Sequence, residues 1–254
     1  MKEEIITDIQ RKKAILMGLF IARFSKKALE SFGFTTYKEA YNVFGYSVNI
    51  PPSSIKLYQQ EFDRFFPNGR AGWKRPVRDY CKAVMDECKD LKFDDFHKLV
   101  NSIVLDKYVD IKDIKSNYRH APKSRQFLAN RLITGKAAEE YFVKNYPSIT
   151  PFQNYLLTDT TNMGCGFDYK LSLEESNYYV EVKGINERQG SILMTEKEYN
   201  MAEDLLERYC LFVVSNFKDT PIHQLFFNPV RSGDLLFQRQ ERHVRQVSFQ
   251  TNII

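Results

Sequence analysis

The second half of the chain has the most regular pattern of apolar and polar positions, and this pattern predicts alternating helices and strands. Residues 209–214 form a continuous apolar run that ends at Ser215 and Asn216, as is typical of a buried strand. Before this run, Thr195 and Glu198 have the spacing of a capping box, so a helix is predicted to begin there. Apolar residues then recur at helical spacing, at Tyr199, Ala202, Leu205 and Leu206. The half reads helix, strand, strand, strand, helix, strand, which predicts a small mixed sheet with helices on its faces.

The pattern in the first half predicts helices. Residues 34–45 read as a short helix that begins near Thr35 or Thr36 and stops at Gly45. Residues 51–62 read as a second helix, because proline is accepted in a first helical turn. Between residues 79 and 108, apolar residues at helical spacing are predicted to be core, namely Val84, Cys88, Leu91, Phe96, Leu99 and Ile103.

Composition favours two domains. The chain has 254 residues, of which 43% are hydrophobic, and a single domain usually has about 100–200 residues. A polar segment between Lys112 and Ser124 is the predicted joint, which gives a helical domain over residues 1–120 and a second domain over residues 121–254. The apolar stretch at 14–22 is too short to cross a bilayer, and the chain does not begin with a signal peptide. We therefore expect a cytoplasmic protein without membrane contact.

The four cysteines, Cys81, Cys88, Cys165 and Cys210, are widely scattered. None of them belongs to a CxxC pair or has a histidine at zinc spacing. We predict that they are reduced and structural.

Charge is distributed unevenly along the chain. Residues 1–125 contain 24 Lys or Arg against 16 Asp or Glu, a net charge of +8, whereas residues 126–254 contain 13 against 16, a net charge of −3. The basic half is therefore the part that suits a polyanion. Its densest segment runs from Arg64 to Lys82, where phosphate contacts are predicted for Arg70, Lys74, Arg75 and Arg78. An ordinary solvated basic surface has the same pattern.

Two short helices around a glycine-containing turn suggest a helix-turn-helix in the first half. In the second of these helices, Ile55, Tyr58 and Phe62 are predicted to face the core. The polar positions are predicted to be exposed and to contact base edges or phosphates, namely Ser53, Ser54, Lys56, Gln59 and Gln60. A helical bundle that does not touch DNA has a similar sequence.

The candidate chemistry lies in the second half. Asp168 follows a glycine-rich entry, and Glu181 and Lys183 come thirteen and fifteen residues later in an apolar run. In a strand, Glu181 and Lys183 lie on one face, while Val180 and Val182 point to the other. Hard divalent cations prefer carboxylate oxygens, so Asp168 and Glu181 are predicted to hold Mg²⁺, with the main-chain carbonyl of Val182 as a further ligand. Lys183 would then act on the attacking water and offset charge on a phosphate.

These residues resemble the PD-(D/E)XK nucleases of restriction-endonuclease-like fold, and most closely the branch represented by the NO VEIN carboxy-terminal domain. The resemblance runs from about Gly135 to about Asn216. It includes the segments 135–142, 166–168, 181–183, 192–199 and 209–214. The fold that it implies for this part is a restriction-endonuclease-like mixed sheet flanked by helices. Together with the mostly helical amino-terminal domain that the residue pattern predicts, the expected fold class is α+β or α/β.

The resemblance implies metal-dependent hydrolysis of DNA. Asp168 and Glu181 would hold the metal, Lys183 would act on the water, and a helix glutamate would complete the catalytic site. Glu139 is the better match for that glutamate, with Glu140 as the alternative.

The leading hypothesis is a sequence-specific type II restriction endonuclease that depends on Mg²⁺ and cuts double-stranded DNA. Because one such site cuts one strand, a homodimer on a near-palindromic sequence is expected, and a cognate DNA methyltransferase is an expected partner. The alternatives are a modification-dependent endonuclease and a DNA-binding protein whose nuclease fold is inactive.

Overall fold

The computed structural model describes the backbone of residues 8–105 and 123–241, and the side chains of all of these except 123–131. In this part of the chain the α-helices are α1 (Asp8–Ser31), α2 (Tyr37–Ser47), α3 (Pro52–Phe62), α4 (Asp79–Glu87), α5 (Phe93–Val104), α6 (Lys123–Asn145) and α7 (Glu196–Leu205). The strands are β1 (Leu156–Asp159), β2 (Tyr169–Leu173), β3 (Ser176–Gly184), β4 (Tyr209–Ser215) and β5 (Ile222–Phe227).

The strands form one five-stranded mixed sheet in the order β1-β2-β3-β4-β5. The β3–β4 pair is parallel and the other pairs are antiparallel, so the chain crosses from β3 to β4 through α7. The predicted order of helix, strand, strand, strand, helix, strand is confirmed from α6 to β4. Sequence analysis did not predict β5, which pairs with β4 at the edge of the sheet.

The amino-terminal helices pack around α1. Nine consecutive residues of α1, at positions 14–22, are buried, as expected of a helix that is apolar on all sides and central to a bundle. Gly18 allows α3 to approach closely, since a Cβ at this position would lie 2.6 Å from the Cβ of Tyr58. The helical character of the first half is thus confirmed, while the helix-turn-helix interpretation of α2 and α3 stays a prediction. No helix in the described residues has the length and apolar character that a membrane span requires.

The start of α2 was predicted correctly but its end was not. The side chain of Thr36 caps the helix by accepting the N–H of Glu39. The helix continues past Gly45 to Ser47, so the prediction that Gly45 stops it is wrong. Glycine is required there by packing, because a Cβ would lie 2.8 Å from the carbonyl oxygen of Ile50.

The predicted core of residues 79–108 is largely confirmed. Val84, Cys88, Leu91, Phe96 and Leu99 are buried, and Ile103 is half-buried against the same core. Cys81, Cys88, Cys165 and Cys210 are all free, as predicted.

The helical part and the sheet part meet where α2 packs on α6. The ring of Tyr46 in α2 lies 5.3 Å from that of Tyr141 in α6, in edge-to-face orientation. Asn42 donates its side-chain N–H groups to the carbonyls of Phe217 and Asp219 in the loop after β4. The predicted joint falls mostly in residues 106–122, which lie outside the described residues, so the boundary at residue 120 stays a prediction.

Candidate functional site

Asp168 is fixed immediately before β2 by hydrogen bonds to the neighbouring strand β3. Its backbone N–H donates to the carbonyl of Val180 at 2.9 Å, and its Oδ2 accepts the N–H of Val182 at 2.9 Å. The carboxylate therefore takes the place of a backbone partner just where β2 begins. This arrangement positions Asp168 beside the strand that carries Glu181 and Lys183.

Val182 presents its carbonyl to the same edge of β3. In a strand, the N–H and C=O of one residue point to the same side. Ile185 donates its N–H to Val214 of β4, whereas the carbonyl of Val180 and the N–H of Val182 face Asp168. Residues 180 and 182 thus use the edge away from β4, which leaves the Val182 carbonyl on the Asp168 side.

Glu181 and Lys183 share one face of β3, as predicted, and they form an ion pair. Lys183 Nζ lies 2.5 Å from Glu181 Oε1 and 2.8 Å from Glu198 Oε2. Glu181 is only 4% exposed. The opposite face of β3 packs on α6, where Gly184 permits close contact: a Cβ would lie 2.6 Å from the Thr134 carbonyl oxygen.

Glu198 was missed as a site residue. It lies at the third position of α7, where its N–H donates to Thr195 Oγ1 and its Oε2 accepts the N–H of Thr195, so the predicted capping box is confirmed. The same Oε2 also accepts from Lys183. The spacing of Thr195 and Glu198 identified this glutamate, but only as a helix cap, because its approach to Lys183 depends on the crossover from β3 to α7.

Glu139 and Glu140 lie near each other on α6, and both pair with Lys136. Burial raises the pKa of Glu139 to about 7, and the negative charge of Asp168 is the next contribution. The charge of Asp168 therefore acts on Glu139. The structure does not assign either glutamate a catalytic role, and the preference for Glu139 stays a prediction.

The carboxylates on the strands are crowded and largely shielded from water. Burial raises the pKa of Glu181 to about 8, and the charge of Asp168 adds to the shift. Burial also raises the pKa of Asp168, against the opposing effects of the Val182 N–H and Lys183. For Lys183, burial works against the charged form, but Glu181 and Glu198 outweigh it and raise its pKa. The site as a whole favours an additional positive charge.

Two carboxylates and one main-chain carbonyl lie together here, and these are oxygen donors of the kind that Mg²⁺ accepts. In the described residues, no group of three or more Asp, Glu, His or Cys side chains is close enough to hold a metal ion. The protein ligands would be the carboxylates of Asp168 and Glu181 with the carbonyl of Val182. Mg²⁺ is commonly bound by only one or two carboxylates, with water and substrate phosphate filling its other positions. Burial is the main cause of the raised pKa values of Asp168 and Glu181, and a cation would offset the neighbouring negative charges that add to it.

The predicted DNA-contacting residues of α3 differ in their exposure to solvent. Ser53 and Lys56 are exposed, and Ser54 and Gln60 are half-buried. The prediction that Gln59 is exposed is wrong, since its side chain is buried and bonded to Tyr41 and Asp63. Its position is explained by the helical repeat, because Gln59 lies one turn after Ile55 and on the same buried face.

The predicted phosphate contacts fall into two groups. Lys74 and Arg75 are exposed and available to solvent. Arg70 and Arg78 instead form internal ion pairs, Arg70 with Asp63 and Arg78 with Glu61. These two arginines neutralise buried carboxylates, so their first role in the structure is to stabilise the helical part.

Residues 138–227 match a family model described as Protein NO VEIN, C-terminal. This family is associated with a restriction-endonuclease-like nuclease fold. The matched range contains Asp168, Glu181, Lys183 and Glu198. No curated protein and no solved structure matches the chain significantly.

Proposed function

We propose that the protein is a Mg²⁺-dependent endonuclease that hydrolyses double-stranded DNA, with the catalytic site at the Asp168 end of β3. The observation that carries this proposal is the grouping of Asp168, Glu181 and Lys183 at one end of the sheet, inside the range that matches the nuclease-associated family.

Each side chain has a separate task in this proposal. Asp168 and Glu181, with the Val182 carbonyl, would hold the cation. Bound Mg²⁺ would supply Lewis-acid stabilisation of the phosphate and of the leaving oxygen. Lys183, held as a cation between Glu181 and Glu198, would donate hydrogen bonds to the attacking water and offset negative charge on the phosphate. Glu139 would complete the acidic group from the α6 side.

The finer parts of the proposal concern substrate choice and assembly. The net charge of +8 over residues 1–125 supports a helical part that binds DNA, with Lys56, Lys74 and Arg75 exposed for phosphate contacts. We further propose type II, sequence-specific cleavage by a homodimer, because one site of this kind cuts one strand. A cognate methyltransferase that protects the same sequence would be the corresponding partner.

The test is digestion of unmethylated and methylated genomic DNA with Mg²⁺ or with EDTA. Wild-type protein is compared with Lys183→Ala and with Lys197→Ala, in which a nearby exposed lysine is lost. Discrete fragments that require Mg²⁺ and Lys183, but not Lys197, are expected. Cleavage confined to methylated DNA would replace the type II assignment with a modification-dependent one.

A failure to cut either DNA, with binding retained, would overturn the nuclease proposal. The same result would favour a DNA-binding protein with an inactive nuclease fold. Cleavage that persists in EDTA or in Lys183→Ala would instead show that the chemistry lies elsewhere.

A further inference from the structure

A cavity lies in the helical part, and its lining includes none of the carboxylates Asp168, Glu181 and Glu198. It has a volume of about 540 Å³, within the range of roughly 300–1,000 Å³ that is usual for ligand sites. Its lining includes the aromatic residues Tyr37, Tyr41 and Trp73 and the polar residues Lys56, Gln60 and Asp63.

The aromatic walls of the cavity are held in place. Tyr41 donates its hydroxyl to the buried amide of Gln59, and Tyr37 accepts from Arg70 Nη1 at 2.7 Å. Trp73 donates its backbone N–H to the carbonyl of Gln60 at 2.9 Å. A pocket with fixed walls loses less entropy when a ligand binds than one that must order itself.

Gly72 brings the segment that carries Trp73 close to α3. Its φ is +64°, and a Cβ at this position would lie 2.9 Å from the Gln60 carbonyl oxygen and 2.8 Å from the Arg64 nitrogen. A side chain would therefore be strained and would push Trp73 away from the cavity. Glycine at position 72 is therefore required both by its positive φ and by the close approach to α3.

The floor of the cavity is polar. Asp63 is 2% exposed, and its Oδ1 accepts from Asn68 Nδ2 at 2.8 Å and from Arg70 Nε at 2.9 Å. Arg70 Nη2 is buried and lies 2.9 Å from the same oxygen, but it has no hydrogen bond of good geometry in the described part of the chain. The carboxylate of Asp63 and the guanidinium of Arg70 thus give this side of the cavity a fixed ion pair.

The chemistry of the cavity suits a flat heteroaromatic ring that carries both hydrogen-bond donors and acceptors. Aromatic side chains stack on nucleobases, and a base edge needs hydroxyl, amide or guanidinium partners such as Tyr41, Gln60 and Arg70. Lys56 is exposed and contributes positive charge to the lining, where a phosphate would be stabilised. A purely aliphatic ligand would leave this polar floor unpaired.

We propose that this cavity binds a single nucleobase that is turned out of DNA, with the adjoining phosphate near Lys56. The choice of DNA as the polymer rests on the proposed function, whereas the choice of a nucleobase rests on the cavity. Enzymes that inspect a base in this way must first unstack it, and stacking and hydrogen bonds in the pocket offset that cost.

Trp73 makes the proposal directly testable, since it is the only tryptophan in the 254-residue chain. Its fluorescence is measured in the 254-residue Lys183→Ala protein with EDTA, so that no cleavage occurs. The probes are deoxynucleoside 5′-monophosphates with unmodified, methylated and hydroxymethylated bases, together with 2-deoxyribose 5-phosphate as a base-free control. Saturable quenching by at least one nucleotide, without quenching by the base-free sugar phosphate, is expected.

Two lysine variants locate the binding. Lys56→Ala removes the charge in the cavity lining and is expected to weaken nucleotide binding several-fold. Lys82→Ala removes an exposed lysine of α4 that does not line the cavity, and it is expected to bind as the parent does. Equal effects of the two substitutions would overturn the placement at this cavity.

Experiments with duplex DNA distinguish binding of a base within DNA from binding of a free nucleotide. Trp73 quenching is compared for a matched duplex and for the same duplex with one mismatched or bulged position, which is easier to unstack. Stronger quenching by the bulged or mismatched duplex is expected. Quenching by mononucleotides alone would overturn the DNA part, and no quenching by any probe, or equal quenching by the base-free sugar phosphate, would overturn the nucleobase site. Because the readout needs no catalysis, these outcomes are distinct from a failure of the proposed nuclease activity.

Discussion

Glu198 Oε2 lies 2.8 Å from Lys183 Nζ and, at the same time, 2.9 Å from the backbone nitrogen of Thr195. One oxygen therefore accepts from the first turn of α7 and from the amine of β3. Since Glu181 approaches the same amine at 2.5 Å, Lys183 is held between two carboxylates. The start of α7 and the position of Lys183 are consequently coupled, and a change at Glu198 is expected to affect the proposed catalytic lysine.

Glu198→Gln tests this coupling. Glutamine also serves at the third position of a capping box, so the helix start should be retained while the charged contact to Lys183 is lost. Residues that orient a catalytic group through one contact commonly contribute about 10- to 100-fold, and we expect the single-turnover rate of DNA cleavage to fall by that factor. Thermal unfolding should change little.

Glu196→Gln is the matched control for this variant. Glu196 occupies the first turn of the same helix and is exposed. The Glu196→Gln protein is expected to cleave DNA at the wild-type rate. Equal rates for Glu198→Gln and Glu196→Gln would show that Glu198 serves only as a helix cap.

The raised pKa of Glu139 predicts a pH dependence of stability. Its pKa is raised from 4.5 to about 7, chiefly by burial and then by Asp168. The folded state thus favours the protonated carboxyl, and this contribution is fully present below pH 4.5 and is lost as the pH rises to about 7. A shift of this size corresponds to roughly 3 kcal/mol at most. Glu139→Gln should therefore become more stable than wild type as the pH rises through that window.

Glu140→Gln is the appropriate comparison for Glu139→Gln. Both glutamates pair with Lys136, and both side chains are 25% exposed. Denaturant unfolding of wild type, Glu139→Gln and Glu140→Gln at several pH values measures how the free energy of unfolding of each protein changes with pH. A stability difference from wild type that grows equally with pH in both variants would contradict the assignment of the effect to Glu139.

Magnesium binding should stabilise the fold even when no DNA is present. Binding to the folded state alone contributes about 2.7 kcal/mol at a concentration of 100 times Kd, or a Tm rise of roughly 5–10 °C. Glu181→Gln removes a proposed ligand and should abolish this rise. Its Tm without metal should change little, because the lost contact with Lys183 is offset by the removal of a carboxylate whose charged form is disfavoured by burial and by Asp168.

Glu187→Gln is the control for the metal experiment. Glu187 is an exposed acid paired with Lys218, and it should keep the full Mg²⁺ response. If wild type shows no Tm rise with Mg²⁺, or if both variants lose it equally, the placement of the metal at Glu181 is wrong.

Local sequence signals predicted the sheet part well. The predicted strand at 209–214 and the predicted helix start at Thr195 are both confirmed. Each prediction depends only on residues that are close together in the sequence. The common face of Glu181 and Lys183 follows from the two-residue repeat of a strand in the same way. The proximity of Asp168 to Glu181 was predicted from their spacing and the family resemblance.

The contacts that sequence analysis missed depend on tertiary packing. Glu198 meets Lys183 only because α7 crosses back over the sheet after β3, and no local pattern specifies that position. For Gln59, the polar side chain suggested exposure, although its spacing from Ile55 and Phe62 placed it on the buried face. Its partners Tyr41 and Asp63 become visible only once α2 and α3 pack.

Gln59 and Gln60 are therefore expected to behave differently despite being adjacent. Gln59 is 2% exposed, and its loss in Gln59→Ala leaves buried partners unsatisfied, at a cost of about 1–3 kcal/mol in the free energy of unfolding. Gln60→Ala should leave stability nearly unchanged and alter site preference if Gln60 reads a base. Chemical denaturation and cleavage of a randomised DNA library measure the two effects, and a stable Gln59→Ala protein would argue against the buried network.

Arg75 and Arg78 give the corresponding contrast for phosphate binding. Arg75 is exposed, so Arg75→Ala should weaken binding to all sequences alike and reduce the slope of log Kd against log salt by about one.

Arg78 donates its Nε to Glu61 Oε2 at 3.0 Å, and Glu61 is 1% exposed, so Arg78→Ala leaves a buried carboxylate unpaired. We expect the Arg78→Ala protein to lose stability instead of DNA affinity. Breaking a buried ion pair costs about 3–5 kcal/mol in the free energy of unfolding. That range is an upper limit here, because the Arg78 side chain is partly open to solvent. Fluorescence anisotropy with labelled duplex at several salt concentrations, beside thermal unfolding, separates the two outcomes. An unchanged salt slope in Arg75→Ala would show that the exposed basic segment does not contact the DNA backbone.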